Sequence, residues 1–270
     1  MRTIHRLAVV ATTLFFGACL QSTAVVKINA DGSGTIQHRT MIASAVLNQL
    51  RQFAGSFGGG AKPIDFFSEE EARGSAAKMG EGIRLLSTAP LKTAAAEGRE
   101  NLYEFLDVTK LRFDELLSTG NGGGRQGAAG IGPDRGVSIS ADFARSSDGN
   151  AVLTLHGPPP AALGNGGLIV NDRNIAGAEQ LAAMRQALAG MRISLQVEPS
   201  GRLVRTSSAY ADGNTVTLLD LDVDEMLKDE TVITRLQSVK TTDEMIEMLK
   251  HIPGLKAQPG DVTIEFTSTR

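Results

Sequence analysis

The fold is decided by Thr23-Ala24-Val25-Val26-Lys27-Ile28-Asn29-Ala30-Asp31-Gly32-Ser33-Gly34, residues 23–34. Its first half is rich in β-branched side chains, which favour an extended strand. Its second half supplies the Asp and Gly residues that tight turns require. The chain then returns from Thr35 to Met41 with a second strand-like segment. The sequence therefore predicts a β-hairpin over 23–41.

The same signature recurs along the chain. Ser147-Asp148-Gly149-Asn150 and Asp212-Gly213 are further hairpin turns. Centring the second turn on Asp212 and Gly213 predicts that Arg205 lies opposite Asp220, a favourable cross-strand charge pair. The remaining predicted strands are Ile83–Lys92, Asn101–Asp107, Val137–Ala144, Ala151–His156, Ile193–Glu198, Leu203–Tyr210, Thr215–Asp222 and Val262–Phe266.

Helical spacing of apolar residues interrupts these hairpins. It predicts helices over 42–57, 68–79, 177–190 and 231–250. Ser68 with Glu71, and Thr241 with Glu244, have the spacing of capping boxes, and the second one predicts a break near Thr241. We therefore expect an α+β fold in which antiparallel β-hairpins and a meander pack with several helices.

Residues 118–136 contain the strongest change in composition, because they are dominated by glycine. Ordering so many glycines is entropically costly, which predicts a flexible loop. The expected organisation is one α+β domain over 19–270. The alternative is two lobes, 19–117 and 137–270, joined by this loop.

The region before the first hairpin has the order of a secretory signal peptide. A short basic segment that contains Arg2 and Arg6 precedes an apolar run, and the small residues Gly17 and Ala18 follow it. Phe16-Gly17-Ala18-Cys19 resembles the lipobox of bacterial lipoproteins, although Phe16 replaces the usual aliphatic residue. The resemblance implies cleavage of residues 1–18 and lipidation of Cys19, with a diacylglyceryl thioether and an acylated amino terminus (a palmitate-type anchor). Several acyl chains hold a protein stably on a membrane where one would not.

Composition restricts location and partners. Cys19 is the only cysteine, so no intrachain disulfide can form. The net charge is −3 without a basic block, which argues against nucleic-acid binding and against electrostatic adhesion to anionic lipid. We expect an extracytoplasmic protein held on the bacterial membrane through Cys19. Leu20, which follows the cysteine, favours the outer membrane if the source is Gram-negative.

The sequence contains no recognisable catalytic constellation. His38, His156 and His251 lack a second ligand at metal-binding spacing, so each is interpreted as a surface or strand-edge residue. No nucleophile elbow or phosphate loop is present in the sequence, and neither a cofactor nor an enzymatic activity is expected. A hydrolase that uses carboxylates remains the alternative.

An acidic strand and an apolar helix face are two further candidate binding features. Asp220, Asp222 and Asp224 would share one face of a strand and could hold calcium, but a solvated strand face leading into a helix is the preferred explanation, because calcium sites usually draw their ligands from a curved loop. The helix over 42–57 could cover a groove for a lipid or another amphiphile, or simply pack on its own sheet. Its groove-lining residues would be Ile42, Val46, Leu50, Phe53 and Phe57.

The arrangement resembles the LppM-type domain of bacterial lipoproteins. The resemblance is carried by Val25–Thr35 and by Gly201–Thr206 turning back into Thr215-Val216-Thr217, and it covers most of residues 19–222. The chain departs from the family by its longer Gly-rich loop. The resemblance implies an envelope domain of helix and antiparallel sheet with lipid or glycolipid contact. The expected function is a non-enzymatic binding or assembly module of the cell envelope, with a lipid or protein partner. A purely structural lipoprotein is the third interpretation.

Overall fold

The computed structural model describes residues 20–48, 51, 67–117, 139–157, 185, 188–229, 231–239 and 241–268. The predicted signal peptide, Cys19, the Gly-rich loop, half of the predicted helix over 42–57 and most of the one over 177–190 lie outside these residues. A helical turn over 44–48 follows the second strand.

Within the described residues, twelve strands form two sheets. The strands are β1 Leu20–Ile28, β2 Gly34–Ala43, β3 Arg84–Lys92, β4 Ala96–Phe105, β5 Ser140–Arg145, β6 Ala151–His156, β7 Arg192–Pro199, β8 Leu203–Thr206, β9 Ala211–Asp212, β10 Thr215–Asp222, β11 Leu255–Ala257 and β12 Val262–Phe266. The larger sheet has the order β11-β10-β7-β1-β2-β4-β3, with β9 paired to β10, and the smaller one has the order β5-β6-β12-β8.

The predicted hairpins form at β1–β2, β3–β4 and β5–β6, each antiparallel. The expectation of a purely antiparallel sheet is wrong at one pair, because β1 and β7 run parallel. A short turn forces two strands to be antiparallel, whereas strands that are far apart in sequence are free of that constraint. The larger sheet is therefore mixed, with β1 in its interior between β7 and β2.

The predicted pairing of Arg205 with Asp220 is also wrong. Only Ala211 and Asp212 pair with β10 across the Asp212-Gly213 turn. The neighbour of β10 along its length is β7, and Asp220 lies opposite Ser194 there. β8 has instead joined the smaller sheet, where Arg205 lies opposite Glu265 of β12. The apolar β7 strand, with Ile193, Leu195 and Val197 buried, thus takes the central position beside β10.

Four α-helices lie in the described residues: α1 Glu69–Met79, α2 Val223–Met226, α3 Thr231–Ser238 and α4 Thr242–Leu249. Two 3₁₀ turns occupy Val108–Lys110 and Phe113–Leu117. Ser68 caps α1 and accepts a hydrogen bond from the Glu71 amide, and the predicted capping box of Thr241 and Glu244 is complete at α4. The break near Thr241 is confirmed. The fold is mostly β, so the expectation of several packed helices was overstated.

Both sheets contribute to one hydrophobic core. Alternating residues of each strand point inward, as the two-residue period of a strand requires. Fully buried examples are Val26 of β1, Leu195 of β7, Leu153 of β6 and Phe266 of β12. No helix within the described residues is long and apolar enough to cross a membrane.

Candidate functional site

A small polar cavity lies between α1 and the face of the larger sheet that β2 and β4 form. Its volume is about 100 Å³. The polar side chains that line it are His38, Thr40, Ser68, Glu71, Ser75, Lys78, Arg99, Asn101, Tyr103 and Glu115. A few apolar side chains complete the lining, including Phe67, Ala72 and Met79.

The strand register explains why these polar residues meet. His38 lies opposite Asn101, and Thr40 lies opposite Arg99. Residues two apart on a strand share a face, so Arg99, Asn101 and Tyr103 of β4 all point to the side that carries His38. Ordinary β-pairing therefore concentrates polar side chains on one patch of an otherwise apolar face.

His38 is buried, which contradicts its interpretation as a surface or strand-edge residue. Its Nε2 is 3.1 Å from the Oγ of Ser22, a second buried polar residue. Burial lowers the pKa of His38 from 6.5 to about 4, because desolvation disfavours the charged imidazolium. The imidazole is therefore neutral at pH 7.

Arg99, Thr88 and Asn101 form a chain of hydrogen bonds along β3 and β4. The Arg99 guanidinium donates to Thr88 Oγ1 at 2.9 Å, and that hydroxyl donates to Asn101 Oδ1 at 2.6 Å. This chain fixes the Arg99 side chain but uses only part of its donor capacity. The Nε of Arg99 is buried and has no hydrogen-bond partner among the described residues.

Tyr103 presents a second unused polar group. Its side chain is 0% exposed, and its hydroxyl has no hydrogen-bond partner of ordinary geometry within the described part of the chain. Burial, opposed in part by the nearby Asn101, raises the pKa of Tyr103 to about 12. The phenol is therefore protonated at neutral pH and available as a donor.

The wall opposite the sheet is supplied by α1 and the second 3₁₀ turn. Ser75 Oγ donates to the Glu71 carbonyl at 3.0 Å, which ties its hydroxyl to the helix. Arg112 forms ion pairs with Glu115 at 3.1 Å and with the buried Asp114 at 3.4 Å. The charged side chains of the lining include both signs, Lys78 and Arg99 with Glu71 and Glu115.

His38 and Tyr103 therefore present uncharged hydrogen-bonding groups to the cavity near neutral pH. The two buried carboxylates among the described residues, Asp114 and Glu265, lie in ion pairs with Arg112 and Arg205. Hydrogen bonds from Asn150 and Arg205 hold the pKa of Glu265 below its usual value. The hydrolase alternative stays a prediction without assigned residues.

The predicted calcium ligands are not brought together on one strand face. β10 ends at Asp222, which caps α2, and Asp224 lies within α2, where it accepts from the Gly190 amide at 2.8 Å. Asp220 and Asp222 both lie near Arg192, at 3.8 Å. Within the described ranges, no group of three or more His, Cys, Asp and Glu side chains is arranged to hold a metal ion.

The predicted groove residues are only partly described. Ile42 is the last residue but one of β2 and Val46 lies in the following helical turn, and both are half-buried. Leu50, Phe53 and Phe57 lie outside the described residues, as does the lipidation residue Cys19. The groove therefore stays a prediction.

His156 and His251 lie at the surface, as predicted. His156 ends β6 and is held between two carboxylates, with Asp142 of β5 at 3.1 Å and Asp261 before β12 at 3.0 Å. These two carboxylates raise the pKa of His156. His251 Nδ1 lies 2.8 Å from the Glu247 carbonyl oxygen at the end of α4.

Sequence reasoning missed the cavity. The signal that could have found it is Arg99-Glu100-Asn101-Leu102-Tyr103, in which polar or amphipathic residues recur at every second position of a strand. That spacing predicts a shared face. Nothing in the spacing indicates that this face is the buried one.

Comparisons with known proteins add one distant similarity. No family model matches the chain, and no curated protein matches it. Among solved structures, the chain is similar to the NMR structure of the folded domain of the Mycobacterium tuberculosis LppM protein. The TM-score is 0.35 and the sequence identity is 10%, over 96% of this chain and 95% of that chain. At this distance the similarity identifies no shared function.

Proposed function

We propose that the chain is a bacterial lipoprotein that is anchored outside the cytoplasm through Cys19. Its folded body serves as a non-enzymatic binding or assembly module at the surface of the bilayer. The observation that carries this proposal is the start of β1 at Leu20, directly after the predicted lipidation residue. An interior strand of the larger sheet thus begins where the anchor ends, with no intervening linker.

The direct attachment has a geometric consequence. One end of the larger sheet faces the membrane, because β1 is paired on both sides from its first residues. Leu20 pairs with Ile42, and Gln21 pairs with Arg192. The turn between β3 and β4 lies at the same end, since Ala43 pairs with Ala96. The hairpin turn at Gly32 lies at the opposite end.

The anchor is tested by replacing Cys19 with Ser. The expected result is loss of the protein from the envelope membrane fraction and loss of acyl mass from its amino-terminal peptide in mass spectrometry. The matched control is Phe16→Leu, which restores the usual aliphatic residue and should leave lipidation intact. Undiminished membrane attachment of the Cys19→Ser protein would refute the proposal.

The binding role is tested separately by native mass spectrometry of the gently extracted, lipidated chain. A bound molecule of reproducible mass, in addition to the covalent acyl groups, is expected for a binding module. A protein of bare mass under all extraction conditions would favour the purely structural interpretation.

A further inference from the structure

Two buried donors at the cavity under α1 make no hydrogen bond of ordinary geometry to any described residue, although Asn101 lies near the second of them. They are the Nε–H of Arg99 and the O–H of Tyr103. Arginine can only donate, and although a phenol oxygen can accept, no hydrogen bond joins Arg99 Nε to Tyr103. A buried polar group without a partner is costly, and native proteins rarely tolerate two in one cavity. Both point to an acceptor that is brought in from outside.

We propose that this cavity binds the carboxylate group of a small organic acid, with one or both oxygens accepting from Arg99 and Tyr103. The inference names a ligand class for the proposed binding role and rests on that role, but not on the Cys19 anchor. Hydrogen bonds to a charged acceptor are about twice as strong as neutral ones, which favours a carboxylate over a neutral amide or alcohol.

The balance of charge favours a carboxylate over phosphate. Glu71 and Glu115 also line the cavity, so that their negative charges oppose those of Arg99 and Lys78. The two carboxylates of the lining offset its two cations, so a dianion finds no excess of positive charge. A single negative charge can be paired with Arg99 alone. A singly charged oxyanion therefore fits this environment best.

Size and lining restrict the rest of the ligand. The volume of about 100 Å³ corresponds to roughly three water molecules at ~30 Å³ each. This space accepts a carboxylate with a short carbon chain. Phe67, Ala72 and Met79 supply apolar contacts for that chain. The acid is either a free short-chain molecule or the end of a longer acyl chain that continues out of the cavity.

Tyrosine fluorescence can report binding without interference from tryptophan, because the chain contains two tyrosines and no tryptophan. Full-length protein in detergent is titrated with acetate, butyrate and octanoate, and tyrosine emission and heat are recorded. Butyramide is the neutral control and inorganic phosphate is the dianion control. We expect saturable binding of butyrate, with about tenfold weaker binding of butyramide and no saturation by phosphate. Octanoate binding as tightly as butyrate identifies an acyl end, and weaker octanoate binding identifies a free short acid.

Tyr103→Phe removes the hydroxyl and keeps the ring, and it should weaken butyrate binding about tenfold. Because an unpaired buried hydroxyl is costly, this change should leave the thermal unfolding temperature of the unliganded protein unchanged or raise it. Tyr210→Phe is the matched control and should leave the affinity unchanged. If Tyr103→Phe fails to fold, Arg99→Lys provides a second test: it keeps the charge but removes the Nε donor together with the guanidinium hydrogen bond to Thr88.

No saturable response of the wild-type protein to any carboxylate would overturn the inference and leave only water in the cavity. Equal binding by wild type and Tyr103→Phe, or tighter binding of phosphate than of butyrate, would overturn it as well. Either result with normal Cys19-dependent membrane attachment removes the ligand class and leaves the anchor in place. If the Cys19→Ser protein stays on the membrane while butyrate binding is intact, the anchor is refuted and the ligand class is retained.

Discussion

At the scale of single residues, burial decides which polar side chains have unusual properties. His38 and His156 are both histidines on strands of the same core, yet their pKa values shift in opposite directions. Desolvation lowers the pKa of His38, whose Nε2 lies beside the Ser22 hydroxyl, whereas two carboxylates at the surface raise the pKa of His156. The pH dependence of stability should therefore contain two separable contributions.

His38 should destabilise the fold in acid. The unfolded chain takes up a proton near pH 6.5 and the folded one only near pH 4, so the unfolded state binds more protons between these values. The free energy of unfolding should fall by about 3 kcal/mol as the pH drops through this window. Urea unfolding at pH 7 and pH 4.5 measures this, with His38→Gln as the comparison. An equal acid loss in His38→Gln would show that other groups cause it.

His156 should have the opposite pH dependence: it stabilises the fold at acidic pH, and this stabilisation is lost as the pH rises. Its folded pKa is raised, so the stabilisation is complete below the unfolded pKa of 6.5 and is lost as the pH rises through the folded value. The thermal unfolding temperature of wild type should approach that of His156→Gln as the pH is raised from 6 to 8. His251→Gln is the control, because His251 is exposed and does not lie between Asp142 and Asp261. A constant difference between wild type and His156→Gln across this range would contradict the assignment.

At the scale of elements, the distance between paired strands decides which glycines can be replaced, and local sequence propensity does not reveal this. Gly98 of β4 and Gly74 of α1 look equally replaceable in the sequence. A Cβ on Gly98 would overlap the Thr40 carbonyl oxygen of β2, whereas a Cβ on Gly74 would meet nothing within 4 Å. Gly98 is thus required by the close approach of β2 and β4, whereas Gly74 only lowers the stability of its helix.

Gly98→Ala should lower the free energy of unfolding by about 1–3 kcal/mol, because the strands must separate to admit a methyl group. Gly74→Ala should raise it by up to about 1 kcal/mol, since alanine favours a helix interior over glycine. Chemical denaturation of the two variants beside wild type measures both. A tolerated alanine at position 98 would contradict the β2–β4 pairing.

The position of β8 in the smaller sheet gives a second prediction at this scale. Arg205 Nε lies 2.5 Å from Glu265 Oε2 and belongs to a different sheet from Asp220. A double-mutant cycle of Arg205→Ala with Glu265→Ala should show measurable coupling. The cycle of Arg205→Ala with Asp220→Ala should be additive. Coupling to Asp220 in place of Glu265 would restore the hairpin that the sequence predicts.

At the scale of the whole molecule, the first strand connects the proposed anchor to the fold. β1 is the interior strand that pairs in parallel with β7 and antiparallel with β2, so the orientation of β1 fixes that of the larger sheet. The β5–β6 turn lies toward the far end, because Arg145 donates to the Ala30 carbonyl at 3.0 Å. The two ends of the larger sheet therefore differ, and the proposed Cys19 anchor would place the β3–β4 turn nearer the membrane than the β5–β6 turn.

Labels at the two ends should report different depths. In the lipidated protein, Cys19 is blocked, so that a spin label reacts with a single introduced cysteine. Ala94→Cys, in the β3–β4 turn, should lie nearer the lipid head groups than Asp148→Cys, in the β5–β6 turn; both positions are exposed. Relaxation by a lipid-bound paramagnetic reagent measures the difference. Equal relaxation at both positions would refute a fixed orientation.

The sequence by itself determined the hairpins of β1–β2, β3–β4 and β5–β6, the Thr241 capping box and the existence of the final strand, because turn chemistry, alternation and caps act within a few residues. Only the tertiary structure decided the parallel pairing of β1 with β7, the transfer of Arg205 to Glu265, and the burial of His38 beside Arg99 and Tyr103. These features depend on which apolar faces cover each other, and that choice is made by packing across the whole core rather than by any local segment.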